Sequence, residues 1–306
     1  MPKSVKSSHG KGGFALGRRW HFMEINTQTQ LCGVLGNPIE HSLSPAIHNA
    51  AFCHLGLNYV YLAFRVEDVG VAIQGIRALG NLRGFSVTIP HKVSVIPFLD
   101  DIESTARRIG AINTIVKANG TLTGYNTDAS GALRALNQAG VSLSGKQVLI
   151  LGSGGAARAI AFGLALHADI AGLIILGVVE HERNRLAEDL RQGTTVSVEE
   201  NHLNQDSLRT GIKAAHLLIH CTPVGMHPQV EETCVPSDLL SSHLAVMDIV
   251  YNPMDTLLLR EARKVGCQTV RGIEMFLHQA IAQFELWTGQ TAPVEIMRSV
   301  LESRFS

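Results

Sequence analysis

A lysine stands directly after a strand-like segment in the sequence GFSVTIPHK, residues 84–92. The segment begins with β-forming residues and stops at Pro90, which cannot donate a hydrogen bond to a sheet. A lysine after such a turn is usually a solvated surface charge. Lys92 would instead stabilise an oxyanion or move a proton if a partner carboxylate, polar substrate groups and a cofactor site exist elsewhere in the chain.

A glycine-rich turn favours a dinucleotide site. Residues 152–157, GSGGAA, match the pattern G-x-G-x-x-A between an apolar strand-like segment and an Ala-rich helix. Gly152 permits the tight turn, Gly154 lets the backbone approach a pyrophosphate, and Ala157 keeps the helix close to the sheet. The unpaired N–H groups at the helix N-terminus attract phosphate. This context favours dinucleotide binding over a merely tight turn.

The type of nucleotide stays open at this level. An acid about 20 residues beyond the glycines would bind ribose hydroxyls, and an arginine there would favour a 2′-phosphate. The segment LGVVEHERNR, residues 176–185, offers Glu180 as the acid and Arg183 and Arg185 as cations. Any one of them is also explained as an ordinary exposed helix charge.

Two serines and an aspartate lie at predicted helix starts. Ser44 precedes Pro45 and is predicted as an N-cap, whereas Ser42 is not needed for that role. Two hydroxyls beside a helix N-terminus can bind a small carboxylate, although the spacing alone favours the cap. Asp128 also stands where a helix starts, and its structural alternative is an N-cap.

The histidines and cysteines do not indicate a metal. His216 and His220 lie four apart in a strand-like segment, and the other histidines have no ligand spacing. The five cysteines are scattered without a C-x-x-C pair, which is typical of a reducing compartment. We therefore expect no metal and a cytoplasmic location.

The composition favours a small-molecule partner. The 306 residues carry 26 Lys plus Arg and 26 Asp plus Glu, so no net field suggests nucleic acid or a membrane surface. The longest apolar run, residues 171–179, is too short to span a membrane. Residues 1–23 are expected to form a disordered basic tail, with a transit peptide as the weaker alternative.

The elements that would position these residues alternate between strand and helix, which predicts mostly parallel α/β sheets. Strands are predicted at 29–38, 58–66 and 84–89, with a hairpin over 111–128 and a second series of strands from 146. Helices are predicted at 44–56, 68–80, about 101–108, from 129, and over about 274–303. A chain of this length is expected to form two domains.

The chain from about residue 30 to its end resembles the shikimate and quinate dehydrogenases. Eight segments carry the resemblance in the same order: GNPIEHSLSPAIHN, GFSVTIPHK, GAINTIV, GYNTD, LGSGGAARAI, TPVGM, DIVYNPMDTLLL and GIEMFLHQA.

The resemblance implies a role for each matching position. Lys92 and Asp128 become the catalytic pair. Ser42 and Ser44 would bind the substrate carboxylate, Thr88, Asn113 and Gln279 its ring hydroxyls, and Tyr251 would close the substrate pocket. The cofactor-binding residues would be Gly152, Gly154, Gly155, Ala156 and Glu180, with Met226, Gly272 and Met275 beside the nicotinamide.

The implied protein is a two-domain α/β enzyme with a cleft between its domains. A substrate domain, 24–127 plus 273–306, would pack beside a Rossmann-like NAD(P)-binding domain, 128–272. It would reduce 3-dehydroshikimate reversibly to shikimate, in the chorismate pathway to aromatic amino acids. Its cofactor would be NADP, with NAD as the alternative, and it would be a monomer or homodimer.

Two departures from the family pattern leave alternatives open. Ser86 stands where many members have Asn before the VT of the opening motif, which leaves quinate dehydrogenase as the runner-up. The Asn-Arg-Thr signature of NADP-using members is missing after residue 176, which leaves the cofactor preference open. A non-catalytic sensor of shikimate-like acids or nucleotide is the alternative from another class, although a sensor has no need for Lys92 and Asp128.

Overall fold

The computed structural model describes residues 24–305, so the tail expected at residues 1–23 lies outside the described residues. The described part contains two six-stranded sheets. The strands of the first sheet are β1 Gln30–Gly36, β2 Tyr59–Arg65, β3 Leu82–Val87, β4 Asp101–Ile102, β5 Thr114–Ala118 and β6 Thr121–Tyr125. The strands of the second sheet are β7 Gln147–Leu151, β8 Gly172–Gly177, β9 Ser197–His202, β10 Leu217–His220, β11 Ala245–Asp248 and β12 Gln268–Arg271.

Eleven α-helices within residues 24–305 accompany the sheets. They are α1 Ser44–His54, α2 Val69–Ala78, α3 His91–Ser94, α4 Ser104–Ile109, α5 Asp128–Gln138, α6 Gly155–His167, α7 Glu180–Gly193, α8 Gln205–Ala214, α9 Leu257–Lys264, α10 Gly272–Thr288 and α11 Val294–Glu302.

The first sheet is mixed rather than mostly parallel. Its order is β2-β1-β3-β5-β6-β4, and β1 pairs in parallel with β2 and β3. Strand β5 runs antiparallel to both β3 and β6. Asn119 and Gly120, with φ of 51° and 83°, form the two-residue turn of the predicted hairpin. That turn reverses the chain between β5 and β6, whereas the parallel part formed by β2, β1 and β3 ends where β5 pairs antiparallel with β3.

The second sheet is parallel throughout, in the order β12-β11-β10-β7-β8-β9. The chain runs outward from β7 through β8 to β9 and then returns to the other side of β7 at β10. This reversal of strand order places a ligand crevice at the carboxyl ends of β7 and β10, as in Rossmann-type folds. The edge strand β9, SVEENH, was not predicted because only one of its residues is buried.

Two helix limits differ from those predicted. Helix α4 begins at Ser104, not 101, because the Glu103 carboxylate accepts hydrogen bonds from the N–H groups of Thr105 and Ala106. The C-terminal stretch is two helices because Gly289, with φ of 68°, ends α10 in the left-handed conformation and Pro293 precedes α11.

Helices α5 and α10 pack against each other between the two sheets. A Cβ on Gly131 of α5 would lie 3.0 Å from the backbone nitrogen of Gln279 and the backbone oxygen of Met275. Leu277 of α10 belongs to the core of the first sheet, and Met275 belongs to the core of the second. These two helices therefore set the position of one sheet against the other. No helix within residues 24–305 is long and apolar enough to cross a membrane.

Candidate active site

Lys92 and Asp128 form an ion pair at the junction of the two sheets. Lys92 lies in α3, one turn after the end of β3, and Asp128 is the first residue of α5. The Nζ atom of Lys92 is 2.5 Å from Oδ2 of Asp128, and the two side chains are 15% and 8% exposed. The backbone oxygen of Lys92 accepts a 2.7 Å hydrogen bond from Ile112 N. The pair is thus shielded from solvent, which strengthens its interaction.

Asn113 holds the other oxygen of Asp128. Its Nδ2 donates to Asp128 Oδ1 at 2.8 Å and to Thr127 Oγ1 at 2.9 Å, and its Oδ1 accepts from Thr127 N at 2.8 Å. Asp128 is therefore not an N-cap, since the Asn126 side chain accepts from the backbone N–H of Asp128 at 3.0 Å. With one donor on each carboxylate oxygen, Asp128 is fixed in orientation.

The serines do not cap helix α1. Leu43 occupies the N-cap position without a side-chain hydrogen bond, and Ser44 is the first helical residue, so the N-cap prediction for Ser44 is wrong. Ser42 Oγ lies 3.4 Å from Ser44 N. Ser44 is 5% exposed and lies beside the Tyr61 hydroxyl. Ser42 Oγ therefore accepts a long hydrogen bond from the first N–H of α1, and Ser44 lies within the first turn.

A buried chain of hydrogen bonds connects this region with the ion pair, and the sequence did not reveal it. The hydroxyls of Tyr61 and Ser86 are 2.7 Å apart, and Ser86 Oγ donates to Gln283 Oε1 at 2.8 Å. Gln283 Nε2 donates to Thr114 Oγ1 at 3.0 Å, and Thr114 Oγ1 donates to Asn113 Oδ1 at 2.7 Å. Gln283 stands four residues after Gln279, on the same face of α10, which is the signal that would have found it.

The remaining residues predicted to bind substrate make contacts outside the ion pair. Thr88 follows β3 directly, and its methyl group lies 2.4 Å from where a Cβ on Gly36 would stand, so a larger residue at position 36 would displace Thr88. Tyr251 packs on Phe276 with ring centroids 4.8 Å apart, and Gln279 Nε2 donates to the backbone oxygen of Phe276. Within residues 24–305, no direct hydrogen bond joins Thr88, Tyr251 or Gln279 to the ion pair.

The glycine turn lies at the carboxyl end of β7, next to β10. Gly152 has a φ of 111°, and a Cβ there would lie 3.0 Å from the backbone oxygen of Cys221. A Cβ on Gly154 would meet no atom within 4 Å, and α6 begins at Gly155 without a side-chain cap. Ala156 follows in the first turn of α6. This open N-terminus of a 13-residue helix fits a pyrophosphate.

The glycine turn also faces the ion pair. A Cβ on Gly155 would lie 3.4 Å from Cδ of Lys92, so the lysine side chain reaches from the first sheet to the glycine turn.

A second contact between the parts of the chain that carry the two sheets joins His41, which precedes Ser42, to His227, with ring centroids 6.3 Å apart. Met226, before His227, is 47% exposed. Gly272, the first residue of α10 and one turn before Met275, packs on the backbone of Ile249. Lys92 of the first sheet and the glycine turn of the second therefore lie side by side where the two sheets meet.

Of the two cations predicted after β8, Arg183 is engaged within the fold and Arg185 is exposed. Arg183 is 7% exposed, and its Nε donates to Glu200 Oε2 at 3.0 Å while its Nη1 donates to Gly177 O at 3.0 Å. Its guanidinium therefore points into the fold and away from solvent. Glu180 and Arg185 are exposed on α7. The residues in the loop after β8, Val178 and Val179, are exposed and apolar.

Within residues 24–305, no group of three or more His, Cys, Asp or Glu side chains could hold a metal ion. His220, singled out with His216 in the sequence, is instead buried and bonded to Asp248 and Thr222.

A glycine turn at a Rossmann switch point that lies next to a largely buried lysine–carboxylate pair is the arrangement of a two-domain, dinucleotide-dependent dehydrogenase. Residues 34–115 match the family model of the shikimate dehydrogenase substrate binding domain, and residues 272–302 match that of the shikimate 5′-dehydrogenase C-terminal domain. The chain belongs to the shikimate dehydrogenase family.

Individual relatives cover nearly the whole chain. A shikimate dehydrogenase (NADP(+)) of Moorella thermoacetica is 44% identical over 91% of this chain and 95% of its own length. Shikimate 5-dehydrogenase from Listeria monocytogenes, solved in complex with shikimate and NAD, is 39% identical with a TM-score of 0.84 over 90% of this chain and 98% of that one. Quinate dehydrogenase from Corynebacterium glutamicum, solved in complex with NAD, is 30% identical with a TM-score of 0.83, over 90% of this chain and 99% of that one.

Proposed function

We propose that this protein is a shikimate dehydrogenase, which reduces 3-dehydroshikimate reversibly to shikimate with NADPH and also accepts NADH. The observation that carries the proposal is the buried contact of 2.5 Å between Lys92 and Asp128, next to Gly155 of the dinucleotide turn. A proton-transfer pair and a dinucleotide site on opposite walls of one cleft are what hydride transfer to a ketone requires.

Lys92 handles the charge that develops on the substrate oxygen. A lysine is a cation at neutral pH, and its ammonium stabilises the alkoxide that forms as the ketone carbon receives hydride. The same pair supplies the proton that converts this alkoxide into the product hydroxyl. Asp128, fixed by Asn113 on its other oxygen, keeps the ammonium in place. In the reverse direction, the pair takes up the hydroxyl proton.

The other side chains bind and orient the substrate. The hydroxyls of Ser42 and Ser44 donate hydrogen bonds to the substrate carboxylate at the start of α1. Thr88, Asn113 and Gln279 hydrogen-bond its ring hydroxyls, and Tyr251 closes the pocket over the ring. Because these contacts are remote from the reacting carbon, they lower the KM more than they raise kcat.

The dinucleotide binds with its pyrophosphate at Gly152, Gly154, Gly155 and Ala156. Met226, Gly272 and Met275 lie beside the nicotinamide, which supplies the hydride when bound. Glu180 in the first turn of α7 contacts the adenosine ribose. The open glycine turn supports the pyrophosphate assignment. An acid beside the ribose favours NADH, so Glu180 is the group by which NADH is accepted beside NADPH.

Steady-state kinetics with shikimate and with quinate, each with NADP⁺ and NAD⁺, test the proposal. We expect the highest kcat/KM with shikimate. Absence of turnover with all four combinations, together with retained binding of shikimate or nucleotide in calorimetry, would make the protein a sensor and not an enzyme.

Quinate oxidation is the second candidate activity. Ser86 takes the place of the family's Asn, and its hydroxyl is engaged by Tyr61 and Gln283. The structural similarity of this chain to a quinate dehydrogenase also supports quinate as a substrate. A kcat/KM for quinate above that for shikimate in the same assay would select this alternative.

The proposal extends to organisation and location. Residues 24–127 plus 273–306 form the substrate domain, and 128–272 form the dinucleotide domain. The protein is cytoplasmic and a monomer or homodimer, which light scattering on the purified protein distinguishes. Within residues 24–305, Cys32, Cys221, Cys234 and Cys267 form no disulfide, which supports a reducing compartment.

A further inference from the structure

His220 is a buried, fully bonded imidazole at the carboxyl end of β10, beside the dinucleotide turn. It is 2% exposed. Its Nδ1 is 2.9 Å from Asp248 Oδ1, and its Nε2 is 2.5 Å from Thr222 Oγ1. None of these residues carries a role in the proton transfer or the substrate contacts described above.

The two partners of His220 belong to two different loops of the cleft. Thr222 begins the segment 222–226, and its methyl carbon lies 3.4 Å from where a Cβ on Gly152 would stand. Thr222 Oγ1 also accepts from Val224 N at 3.3 Å. Asp248 begins the segment 248–251, where its Oδ1 accepts from Val250 N at 3.0 Å and its Oδ2 from Thr256 Oγ1 at 2.6 Å. One imidazole therefore connects the loop packed on the glycine turn with the loop that ends at Tyr251.

We propose that His220 is a positioning residue for the dinucleotide, a buried imidazole that holds the segment 222–226 against the glycine turn by bonding Thr222 on one side and Asp248 on the other. The inference rests on the proposed function, because the dinucleotide is assigned there to this turn.

The surroundings of His220 favour its cationic form. Burial lowers its pKa, but hydrogen bonds and charge interactions with Asp248 and Cys234 outweigh that effect and raise the pKa to about 9. The β7 residue paired with His220 is the apolar Leu151. The uncharged Thr256, which caps α9, donates its hydroxyl hydrogen to Asp248 Oδ2. As a cation, His220 donates from both nitrogens. Loss of the proton as the pH rises through about 9 removes one donor and the charge that strengthens both bonds.

A matched pair of variants tests the Thr222 bond. Thr222→Val keeps the shape but removes the acceptor, and Thr222→Ser keeps the hydroxyl. We expect calorimetry with NADP⁺ at neutral pH to give a Kd raised about tenfold in Thr222→Val and within about twofold of wild type in Thr222→Ser. The KM for NADP⁺ should rise with the Kd, while kcat changes less. A Kd for Thr222→Val equal to that of wild type would overturn the proposal.

The charge on His220 is tested without turnover. NMR of the imidazole Cε1–H resonances, with His220→Asn to identify the signal among the 14 histidines, should show one ring that titrates near pH 9. The wild-type Kd for NADP⁺ should rise between about pH 8 and pH 10 by more than that of His220→Asn, and Cys234→Ser should retain the rise. A His220 ring that titrates near pH 6.5, or a Kd for NADP⁺ that rises equally with pH in wild type and His220→Asn, would refute the positioning role of a charged His220.

The outcomes separate the inference from the proposed function. Wild-type protein that binds NADP⁺ but turns over neither acid leaves the His220 measurements valid and refutes only the enzyme assignment. Active protein whose Kd is insensitive to Thr222→Val and His220→Asn refutes only the positioning role. Thermal melting of each variant shows whether it is folded, and His220→Asn replaces Thr222→Val if the latter does not fold.

Discussion

At the scale of single residues, the ion pair between Lys92 and Asp128 is the feature on which catalysis depends. Lys92→Ala should lower kcat by roughly two to four powers of ten, the span of general acid–base catalysis. The Kd for shikimate should change much less, because the carboxylate and hydroxyl contacts remain. Initial rates and calorimetry on the same preparations measure both quantities.

The partner and the double variant supply the control. Asp128→Asn should also be severe, and Lys92→Ala with Asp128→Asn should be far less impaired than the product of the two single defects, because paired catalytic groups act as a unit. Near wild-type turnover in Lys92→Ala would instead make Lys92 an ordinary partly buried charge.

The two serines at the start of α1 should affect binding more than turnover. Neither serine occupies the N-cap position, and the bond from Ser44 N to Ser42 Oγ is long at 3.4 Å, so Ser42→Ala with Ser44→Ala is expected to leave α1 intact. Hydroxyls that bind a remote carboxylate stabilise the ground state and the transition state alike, so the KM for shikimate should rise about tenfold or more with kcat nearly unchanged. A collapse of kcat at unchanged KM contradicts the carboxylate assignment.

At the scale of elements, the loop between β8 and α7 decides the choice of nucleotide. Because Arg183 is bonded inward to Glu200 and the loop carries Val178 and Val179, we expect NADH to be used appreciably. The kcat/KM for NADPH should exceed that for NADH by less than about a hundredfold. A ratio of several hundred would show that a cation on α7 reaches the 2′-phosphate.

Arg183 and Arg185 form a matched pair for the same question. Arg183→Gln should lower the free energy of unfolding by about 3 kcal/mol, because it leaves Glu200 partly buried without its partner, and should leave the NADPH-to-NADH ratio almost unchanged. Arg185 is 76% exposed, so Arg185→Gln should not alter stability measurably. A fall in the ratio for Arg185→Gln alone would identify Arg185 as the phosphate ligand. Urea unfolding and steady-state kinetics measure the two effects.

At the scale of the whole molecule, a buried histidine should make stability depend on pH. His48 stacks on Tyr61 with ring centroids 4.6 Å apart, and within residues 24–305 neither ring nitrogen has a hydrogen-bond partner. Burial lowers its pKa to about 3, while Gln283, whose amide is engaged by Ser86 and Thr114, acts in the opposite direction. The folded protein therefore keeps His48 neutral at a pH where the unfolded chain binds a proton.

The sign follows from the unfolded state, which binds the extra proton below its pKa of about 6.5. Stability from His48 is complete above that pH and falls by ~1.4 kcal/mol per pH unit as the pH drops towards about 3. We expect urea unfolding of His48→Phe to lose less stability than wild type between about pH 7.5 and pH 5. Equal losses would contradict the assignment.

The chain itself determined the residues that perform chemistry and the order of the elements. The glycine turn, the Asn119-Gly120 hairpin and the start of α1 at Pro45 depend on local backbone preferences, which short segments of sequence reveal. The pairing of Lys92 with Asp128 came from a family resemblance, because no local rule joins residues so far apart.

Tertiary structure alone decided how distant side chains share hydrogen bonds. Arg183 turned inward because Glu200, on the unpredicted edge strand β9, offered it a carboxylate. Ser86, Gln283 and Tyr61 met because α10 packs across the first sheet, and His220 found Asp248 because β10 and β11 are neighbours in register. A buried polar group must be bonded, but which partner satisfies it depends on packing between elements far apart in the chain, and that packing leaves no mark in the local sequence.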